Sequence, residues 1–150
     1  LIRNAGVSNF AIKHIQGLQG EGLAPIANNQ IQFHPFEPPH VQDTFDFCLQ
    51  HNITITAYSP LGGLTGKDKA HANEVLRALA MKYGKSVSQI MLRWLLQRGA
   101  AVIPGTGNPK HMAENLSIYA FRILEEDMLI INGLKHSAEG FTSLDMRAMA

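Results

Sequence analysis

The sequence alternates short predicted strands with amphipathic helical segments, and the alternation repeats about four times. The predicted strands are residues 5–8, 26–33, 53–58 and 101–103. The predicted helices are residues 10–19, 41–51, 72–83, 86–97, 109–116 and 125–134. No hairpin signal lies between two strands, so we expect parallel pairing through right-handed crossovers. The pattern predicts an α/β fold, either half of an eight-stranded barrel or a small open sheet.

Local signals mark the ends of several of these elements. Ser8 or Asn9 is the predicted N-cap of the first helix, and Gly20 and Gly22 are predicted to end it. Asn108 can cap the helix that begins at Pro109, where a proline is tolerated because the N–H of the first turn has no helical partner. Residues 61–71 are predicted to form a long glycine-containing loop, and loops of this length are often functional.

Composition narrows the class of protein. A chain of 150 residues, 45% hydrophobic and 17% charged, is typical of one globular domain with a real core. The net charge of +1 gives no reason to expect nucleic acid or a membrane as a partner. The single Cys48 rules out an internal disulfide and favours a cytoplasmic location, and no membrane span or signal peptide is visible. Because the sequence opens on Leu1 directly before a strand, we expect it to be cut from a larger protein.

The segment from Val102 to Asn115 carries the most specific local chemistry. A short strand runs into Pro104, a loop with Gly105 and Gly107, and then the start of a helix. A glycine-rich turn from strand to helix gathers free backbone N–H groups and the positive end of the helix dipole, which together suit a phosphate. The alternative interpretation is an ordinary turn between a strand and a helix.

Polar or aromatic side chains also stand at the carboxyl end of each predicted strand. They are Ser8 and Asn9, Gln30 and His34, Tyr58 and Ser59, and Thr106. In a barrel these ends converge on one mouth, so they would face a common ligand. Taken singly, each has a structural alternative: Ser8 or Asn9 as a helix cap, Tyr58 as a packed strand end, and His34 in a structural His-Pro turn.

Five motifs occur in the order and spacing of one enzyme family. They are Gly6-Val-Ser-Asn-Phe10, Asn29-Gln30 with His34-Pro35, Ala57-Tyr-Ser-Pro-Leu-Gly62, Leu92-Arg-Trp-Leu95, and Ile103-Pro followed by Glu114-Asn115. Over nearly the whole chain they resemble the C-terminal half of the (β/α)8 TIM barrel of aldo-keto reductases. The resemblance implies about the last four βα units of that barrel, residues 1–150, plus a C-terminal helix, with residues 135–150 as a flexible tail.

The resemblance also implies a reaction and a nicotinamide site. The reaction is the NAD(P)H-dependent reduction of an aldehyde or ketone to an alcohol, with a small carbonyl compound as substrate. Ser8, Asn9 and Gln30 would hydrogen-bond the nicotinamide carboxamide. Tyr58 would stack on the nicotinamide ring.

At the other end of the cofactor, the resemblance assigns Ser59 and Leu61 to the pyrophosphate, Thr106 to the adenosine phosphate, and Glu114 and Asn115 to the adenine. NADPH is the implied cofactor, with NADH as the alternative.

Two positions depart from the family pattern. Many members carry a lysine where this chain has Gly105 and an arginine where it has His111, and those cations pair with the 2′-phosphate of NADPH. Lys110 and Lys13 are candidate substitutes, although a lysine cannot form a bidentate contact. These departures predict weak binding of the 2′-phosphate of NADPH.

The catalytic residues of the family, an aspartate, tyrosine, lysine and histidine, lie on earlier strands that this sequence does not contain. We therefore assign no catalytic residue and no metal ligand to the chain, and expect the missing N-terminal half of the barrel as its partner. Two alternatives stay open: a non-catalytic nicotinamide-nucleotide-binding or regulatory half-barrel, and a purely structural half-barrel. A half-barrel would expose sheet edges and an apolar inner face, so association is expected.

The remaining candidate side chains are expected to be structural. His14, His40, His51 and His71 are predicted to be solvated. Phe45, Cys48 and Leu49 share a predicted helix, with Cys48 as a core thiol, and Arg93 is expected in a buried ion pair or in outer packing.

Overall fold

The computed structural model of the chain describes residues 2–21, 25–62 and 70–134. These residues include four parallel strands in sequence order: β1 (Ala5–Ser8), β2 (Ile26–Gln32), β3 (Thr54–Tyr58) and β4 (Ala101–Val102). The predicted parallel pairing is confirmed. Parallel pairing brings the carboxyl ends of all four strands to one edge of the sheet.

Besides helical residues at 70–72, the described part of the chain has six helices that connect and follow the strands. They are α1 (Ile12–Gly20), α2 (Pro39–Gln50), α3 (Glu74–Tyr83), α4 (Val87–Gln97), α5 (Pro109–Leu116) and α6 (Glu125–Asn132), with a 3₁₀ turn at Ser117–Ala120. Helix α5 has its predicted bounds, and the Asn108 side chain caps it by accepting a hydrogen bond from the Lys110 N–H at 2.9 Å. The C-terminal ends of α3 and α4 and the start of α6 also agree with the prediction, and the remaining helix ends differ from it by one or two residues.

The core lies between one face of the sheet and the helices. Ile31, Ile55 and Ala57 point into it and are essentially inaccessible to solvent. The ring of Phe33 stacks on that of Phe45 with a centroid distance of 4.2 Å. Burial of this apolar surface is the main force holding the helices to the sheet.

The opposite face of the sheet is polar. Its exposed or half-buried positions include Ser8, Gln30 and Thr54, and the Asn28 amide donates to Thr56 Oγ1 at 2.9 Å on the same face. The expectation of an apolar inner face is therefore wrong. The exposed face carries side chains that water can hydrate.

The start of α1 also corrects the prediction. The helix begins at Ile12 with Ala11 as its N-cap, so neither Ser8 nor Asn9 caps it. Asn9 has a φ of 58°, a left-handed conformation that an N-cap does not use. The N–H of Ala11 donates a hydrogen bond to His14 Nδ1 at 3.1 Å. His14 is half-buried, so the prediction that it is solvated is wrong. At its other end the helix stops at Gly20, in agreement with the prediction, and Gly22 lies outside the described residues.

Other structural predictions have mixed outcomes. Cys48 is buried as predicted, and burial raises the pKa of its thiol, whereas Leu49 is 37% exposed and lies outside the core. Arg93 donates to the Ile118 carbonyl at 3.1 Å and to Gln97, not to a carboxylate. His51 and His71 are exposed, while His40 is half-buried. The predicted tail at 135–150 and most of the loop at 61–71 lie outside the described residues.

A charged cluster ties α3 to α6. Asp127 is 3% exposed and accepts hydrogen bonds from Lys82 Nζ at 2.8 Å and from the Tyr83 hydroxyl. The Tyr83 hydroxyl in turn accepts from the Leu124 N–H at 2.9 Å. The bonds from Lys82 and Tyr83 lower the pKa of Asp127, so the carboxylate stays ionised inside the contact.

Candidate functional site

Three of the predicted site residues meet at the carboxyl ends of β1 and β2. The Ser8 hydroxyl donates to the Gln30 carbonyl at 3.1 Å, and the Asn9 N–H donates to the same carbonyl at 3.0 Å. The side chains of Ser8 and Gln30 are exposed, and Asn9 is half-buried. The main-chain carbonyl of Gln30 thus joins Ser8 and Asn9, and the side chains of all three residues are of types that donate and accept hydrogen bonds.

Tyr58 joins this group from the end of β3. Its hydroxyl donates to Asn9 Oδ1 at 3.2 Å, and its ring is half-buried. Burial raises the pKa of the Tyr58 phenol, and the charge of Glu37 raises it further against the lowering effect of the Asn9 bond. The phenol is therefore neutral at physiological pH and holds its orientation through Asn9.

The backbone is strained at two of these positions. Asn9 has a φ of 58° and Ser59 a φ of 45°, and Asn52 is the third residue other than glycine with positive φ in the described part of the chain. Such conformations are costly for residues other than glycine and persist where the surrounding structure imposes them. At Ser59 the strain accompanies a tight turn, in which the Gly62 N–H donates to the Ser59 carbonyl at 2.8 Å.

Four of the other five predicted residues line one cleft that includes the loop after β4. The cleft has a volume of about 220 Å³, and its walls include Leu61, Thr106, Glu114 and Asn115. It lies between the loops that follow β3 and β4 and the helices α4 and α5. Four of the nine predicted site residues thus share this cleft, and Ser8, Asn9, Gln30 and Tyr58 form the separate group described above.

The charge of the cleft is unusual for a phosphate site. Of the described residues lining it, those that can ionise are His71, His111 and Glu114, and none is lysine or arginine. Lys110 and Lys13, considered above as substitutes, are not among the lining residues. The N-terminal ends of the helix dipoles of α4 and α5 supply partial positive charge beside the cleft.

The loop that leads into α5 is held by short-range hydrogen bonds. Thr106 Oγ1 accepts from the Asn108 N–H at 3.1 Å, and the Asn108 side chain caps the helix. Thr106 is half-buried and lines the cleft, so its hydroxyl can still donate toward a ligand.

Several residues of the site were not identified from the sequence. Ser86, Ser88 and His71 also line the cleft. A signal for Ser86 existed, because Ser86-Val-Ser-Gln89 has the spacing of a capping box, and Ser86 is the N-cap of α4. Nothing in the local sequence pointed to His71.

Two buried polar groups support the site from below. Asn29 is inaccessible to solvent; its amide donates to the Phe10 carbonyl at 2.8 Å, and its Oδ1 accepts from the Phe10 N–H at 3.4 Å. His34 and Glu37 are also inaccessible, with 3.0 Å between His34 Nε2 and Glu37 Oε1. Both contacts hold chain segments that leave the ends of β1 and β2, which agrees with the structural interpretation of His34.

The described residues contain no cluster of three His, Cys, Asp or Glu side chains able to hold a metal ion. Their helices also include none with the length and apolar character that a bilayer crossing needs.

Comparison with known sequences gives a consistent result. The sequence profile of the Aldo/keto reductase family matches residues 1–136. "Aldose reductase B" of Dictyostelium discoideum is 38% identical over 135 residues, which cover 89% of this chain and 42% of that protein. The "NADPH-dependent alpha-keto amide reductase" of Saccharomyces cerevisiae is 34% identical over 140 residues, covering 89% of this chain and 45% of that protein.

Known structures agree with the sequences. The aldose reductase of Schistosoma japonicum aligns with a TM-score of 0.83 at 28% identity, covering 99% of this chain and 46% of that one. An aldo-keto reductase solved with NADPH aligns with a TM-score of 0.78 at 31% identity, covering 87% of this chain and 42% of that one. The chain thus spans less than half the length of these relatives, and its parallel sheet is a partial (β/α)8 barrel. By sequence and by fold, the chain belongs to the aldo/keto reductase family.

Proposed function

We propose that residues 1–150 are the C-terminal, cofactor-binding half of an aldo-keto reductase barrel whose parent protein reduces aldehydes or ketones to alcohols with NADPH. The observation that carries this proposal is the grouping of the nine predicted residues. Four are gathered around the mouth ends of β1 to β3 and four line one cleft, while Ser59 lies in the turn between the two groups. Family membership supplies the reaction class, and the names of relatives such as the yeast NADPH-dependent reductase support the cofactor.

The first group fits a nicotinamide carboxamide. A carboxamide presents one carbonyl acceptor and two N–H donors, and Ser8, Asn9 and Gln30 offer complementary partners within one small area. Asn9 Oδ1 already accepts from Tyr58, which fixes the direction of its amide. An amide held in this way can distinguish the two orientations of the ring.

Tyr58 fits the role of a platform for the nicotinamide ring. Its ring is half-buried, and its hydroxyl is tied to Asn9, so one rigid aromatic surface is available for stacking. Bound NADPH supplies the hydride for carbonyl reduction. Tyr58 would hold the ring and exclude water from one of its faces.

The cleft fits the adenosine end of the cofactor. Leu61 supplies apolar surface, Thr106 a hydroxyl, and Glu114 and Asn115 hydrogen-bonding groups for an adenine edge. Because the described lining offers imidazoles instead of lysine and arginine, we propose that NADPH is preferred only weakly and that NADH is accepted.

We propose that the chemical step needs groups that this chain does not provide. Tyr58 is unsuited to donate the proton because its hydroxyl is committed to Asn9 and burial raises its pKa. The proton donor would come from the other half of the barrel, which is the proposed partner. The chain alone would then bind cofactor without reducing a carbonyl.

Fluorescence titration with NADPH tests the binding part of this proposal. The matched variants are Thr106→Val, which removes a hydroxyl from the cleft, and Thr54→Val, which removes one from the far end of β3. We expect saturable binding to the native chain, weaker binding by about three- to tenfold for Thr106→Val, and no change for Thr54→Val. Absence of saturable binding to the native chain would reject the cofactor role.

Turnover of a simple aromatic aldehyde tests the reaction. The protein encoded by the complete reading frame that contains this chain should oxidise NADPH only in the presence of the aldehyde. Binding of NADPH by that protein without turnover would instead support the non-catalytic nucleotide-binding module.

A further inference from the structure

Three polar residues on α4 form hydrogen bonds to the main chain between Glu114 and Ile123. Gln89, Arg93 and Gln97 are spaced four residues apart, so they share one face of the helix. Each donates to a backbone carbonyl: Gln89 to Glu114 at 3.1 Å, Arg93 to Ile118 at 3.1 Å, and Gln97 to Ile123 at 2.9 Å. We call these three side chains the α4 ladder. It fixes α5 and the 3₁₀ turn to α4 by hydrogen bonds.

Gln89 is the member of the ladder nearest the cleft, and every polar atom of its side chain is used. Its Oε1 accepts from the Ser86 N–H at 2.9 Å, which completes the capping box of α4. Its Nε2 donates to the Glu114 carbonyl and also to Ser117 Oγ at 2.6 Å. The Ser117 hydroxyl then donates to the same Glu114 carbonyl at 2.8 Å. One amide therefore connects two walls of the cleft, at Ser86 and at Glu114.

Helix α5 depends on such bonds because its own packing is slight. None of the eight residues of α5 is buried, so no side chain of this helix is anchored in the core. Gln89, in contrast, is only 7% exposed. Water therefore competes little for the hydrogen bonds that its side chain makes. The position of Glu114 and Asn115 therefore depends on the hydrogen bonds that Gln89 of α4 makes to the end of α5.

We propose that Gln89 is a positioning residue for the adenosine end of the cofactor site. It holds the last turn of α5 against the start of α4, which keeps Glu114 and Asn115 in register with the opposite wall at Ser86 and Ser88. This inference rests on the proposed cofactor function of the cleft. It adds a residue that does not line the cleft but decides its shape.

The chain offers a matched control in Gln97. Gln89→Met and Gln97→Met make the same neutral change on the same face of α4, and each removes an amide that donates to a backbone carbonyl. Gln89→Glu is the second variant of the test position. Its carboxylate can still accept from the Ser86 N–H, so the helix cap is kept while the donor to Glu114 is lost.

The experiment measures two ligands by calorimetric titration and the urea midpoint of each variant. Adenosine 2′,5′-bisphosphate probes the cleft alone, and reduced nicotinamide mononucleotide probes the other end of the site. We expect both Gln89 variants to bind the bisphosphate about tenfold more weakly, with Gln97→Met within about twofold of the native chain. Binding of the mononucleotide should be unchanged in all variants.

The outcomes separate the two proposals. If the native chain binds the bisphosphate and the Gln89 variants bind it equally well, the positioning role is wrong and the proposed function stands. Equal weakening in Gln97→Met would show that loss of stability, rather than position, controls affinity, and would also overturn the inference. If the native chain does not bind the bisphosphate, the cofactor role of the cleft fails and the inference fails with it.

Discussion

The hydroxyl of Tyr58 donates to Asn9 Oδ1 across 3.2 Å, which joins the ends of β3 and β1 over the intervening strand β2. The contact connects a half-buried aromatic ring to a residue held in a left-handed backbone conformation. Asn9 is in turn fixed by the bond from its N–H to the Gln30 carbonyl at 3.0 Å. Three neighbouring strands therefore set the orientation of one ring.

Substitutions at Tyr58 should separate the ring from the hydroxyl. Tyr58→Phe keeps the platform and loses only the bond to Asn9, so we expect NADPH affinity to fall by no more than about threefold. Tyr58→Ala removes the stacking surface, and affinity should fall by about tenfold or more. Titration of NADPH fluorescence measures both. Native-like binding by Tyr58→Ala would show that the ring does not hold the cofactor.

The buried amide of Asn29 should matter for folding. In Asn29→Leu the Phe10 N–H and carbonyl lose their partners, so we expect the free energy of unfolding to fall by about 2 kcal/mol. Asn28→Leu is the matched control, because Asn28 is half-buried and bonds to Thr56 on the polar face; its cost should stay below about 1 kcal/mol. Urea unfolding gives both values, and equal costs would contradict the assignment.

Much of the fold could be predicted because its signals are local. The β-branched residues of Thr54–Tyr58 predicted β3, and β1 lies at its predicted bounds. Asn108-Pro109 defined the start of α5, since capping by Asn and the first-turn proline depend only on adjacent residues. Parallel pairing then followed from the absence of hairpins, and it explains why residues distant in sequence meet at one edge of the sheet.

The remaining features depend on contacts between distant segments. Asn29 and Gln30 are adjacent polar residues, and alternation along a strand cannot show which of them faces the core; Asn29 does, because Phe10 offers it partners. The same contact occupies the N–H and carbonyl of Phe10, and α1 begins at Ile12 instead of at the predicted residue 10. Gln89 reads as a capping residue in sequence, and its bonds to Glu114 and Ser117 come from folding α5 back onto α4.

The contact between α3 and α6 should make stability depend on pH at both extremes. Hydrogen bonds lower the pKa of Asp127, so its contribution is present above the pKa of the unfolded state and is lost as the pH falls below about 4. The bond to Asp127 raises the pKa of Lys82, so that contribution is present at lower pH and is lost as the pH rises beyond about 10.5. The urea midpoint measured across pH should decline on both sides.

Asp127→Asn should flatten this profile and reduce stability at neutral pH by about 2 kcal/mol, since a buried carboxylate with two donors is replaced. Glu126→Gln is the matched control. Glu126 is 72% exposed and lies 3.4 Å from the same Lys82 Nζ, so its removal should change little. If the two variants show the same pH profile, the dependence does not come from Asp127.

Cofactor preference should change when cations are restored to the cleft. Gly105 has no positive φ, and a side chain there would meet no atom within 4 Å, so a lysine fits without strain. His111 is exposed and lines the same cleft. In the double variant Gly105→Lys, His111→Arg we expect affinity for NADPH to rise about tenfold, while that for NADH stays within about twofold, because only NADPH carries the 2′-phosphate. Competitive titration at two salt concentrations measures the preference.

Gly107→Lys provides the control for charge alone. Gly107 also has open space around it and no positive φ, but it is not among the residues that line the cleft. Adding a lysine there should strengthen binding of both cofactors slightly and equally, since a charge outside the cleft attracts any anion and is screened by salt. Discrimination by the double variant and not by Gly107→Lys would locate the 2′-phosphate between Gly105 and His111. A uniform gain in all variants would mean that the phosphate binds elsewhere.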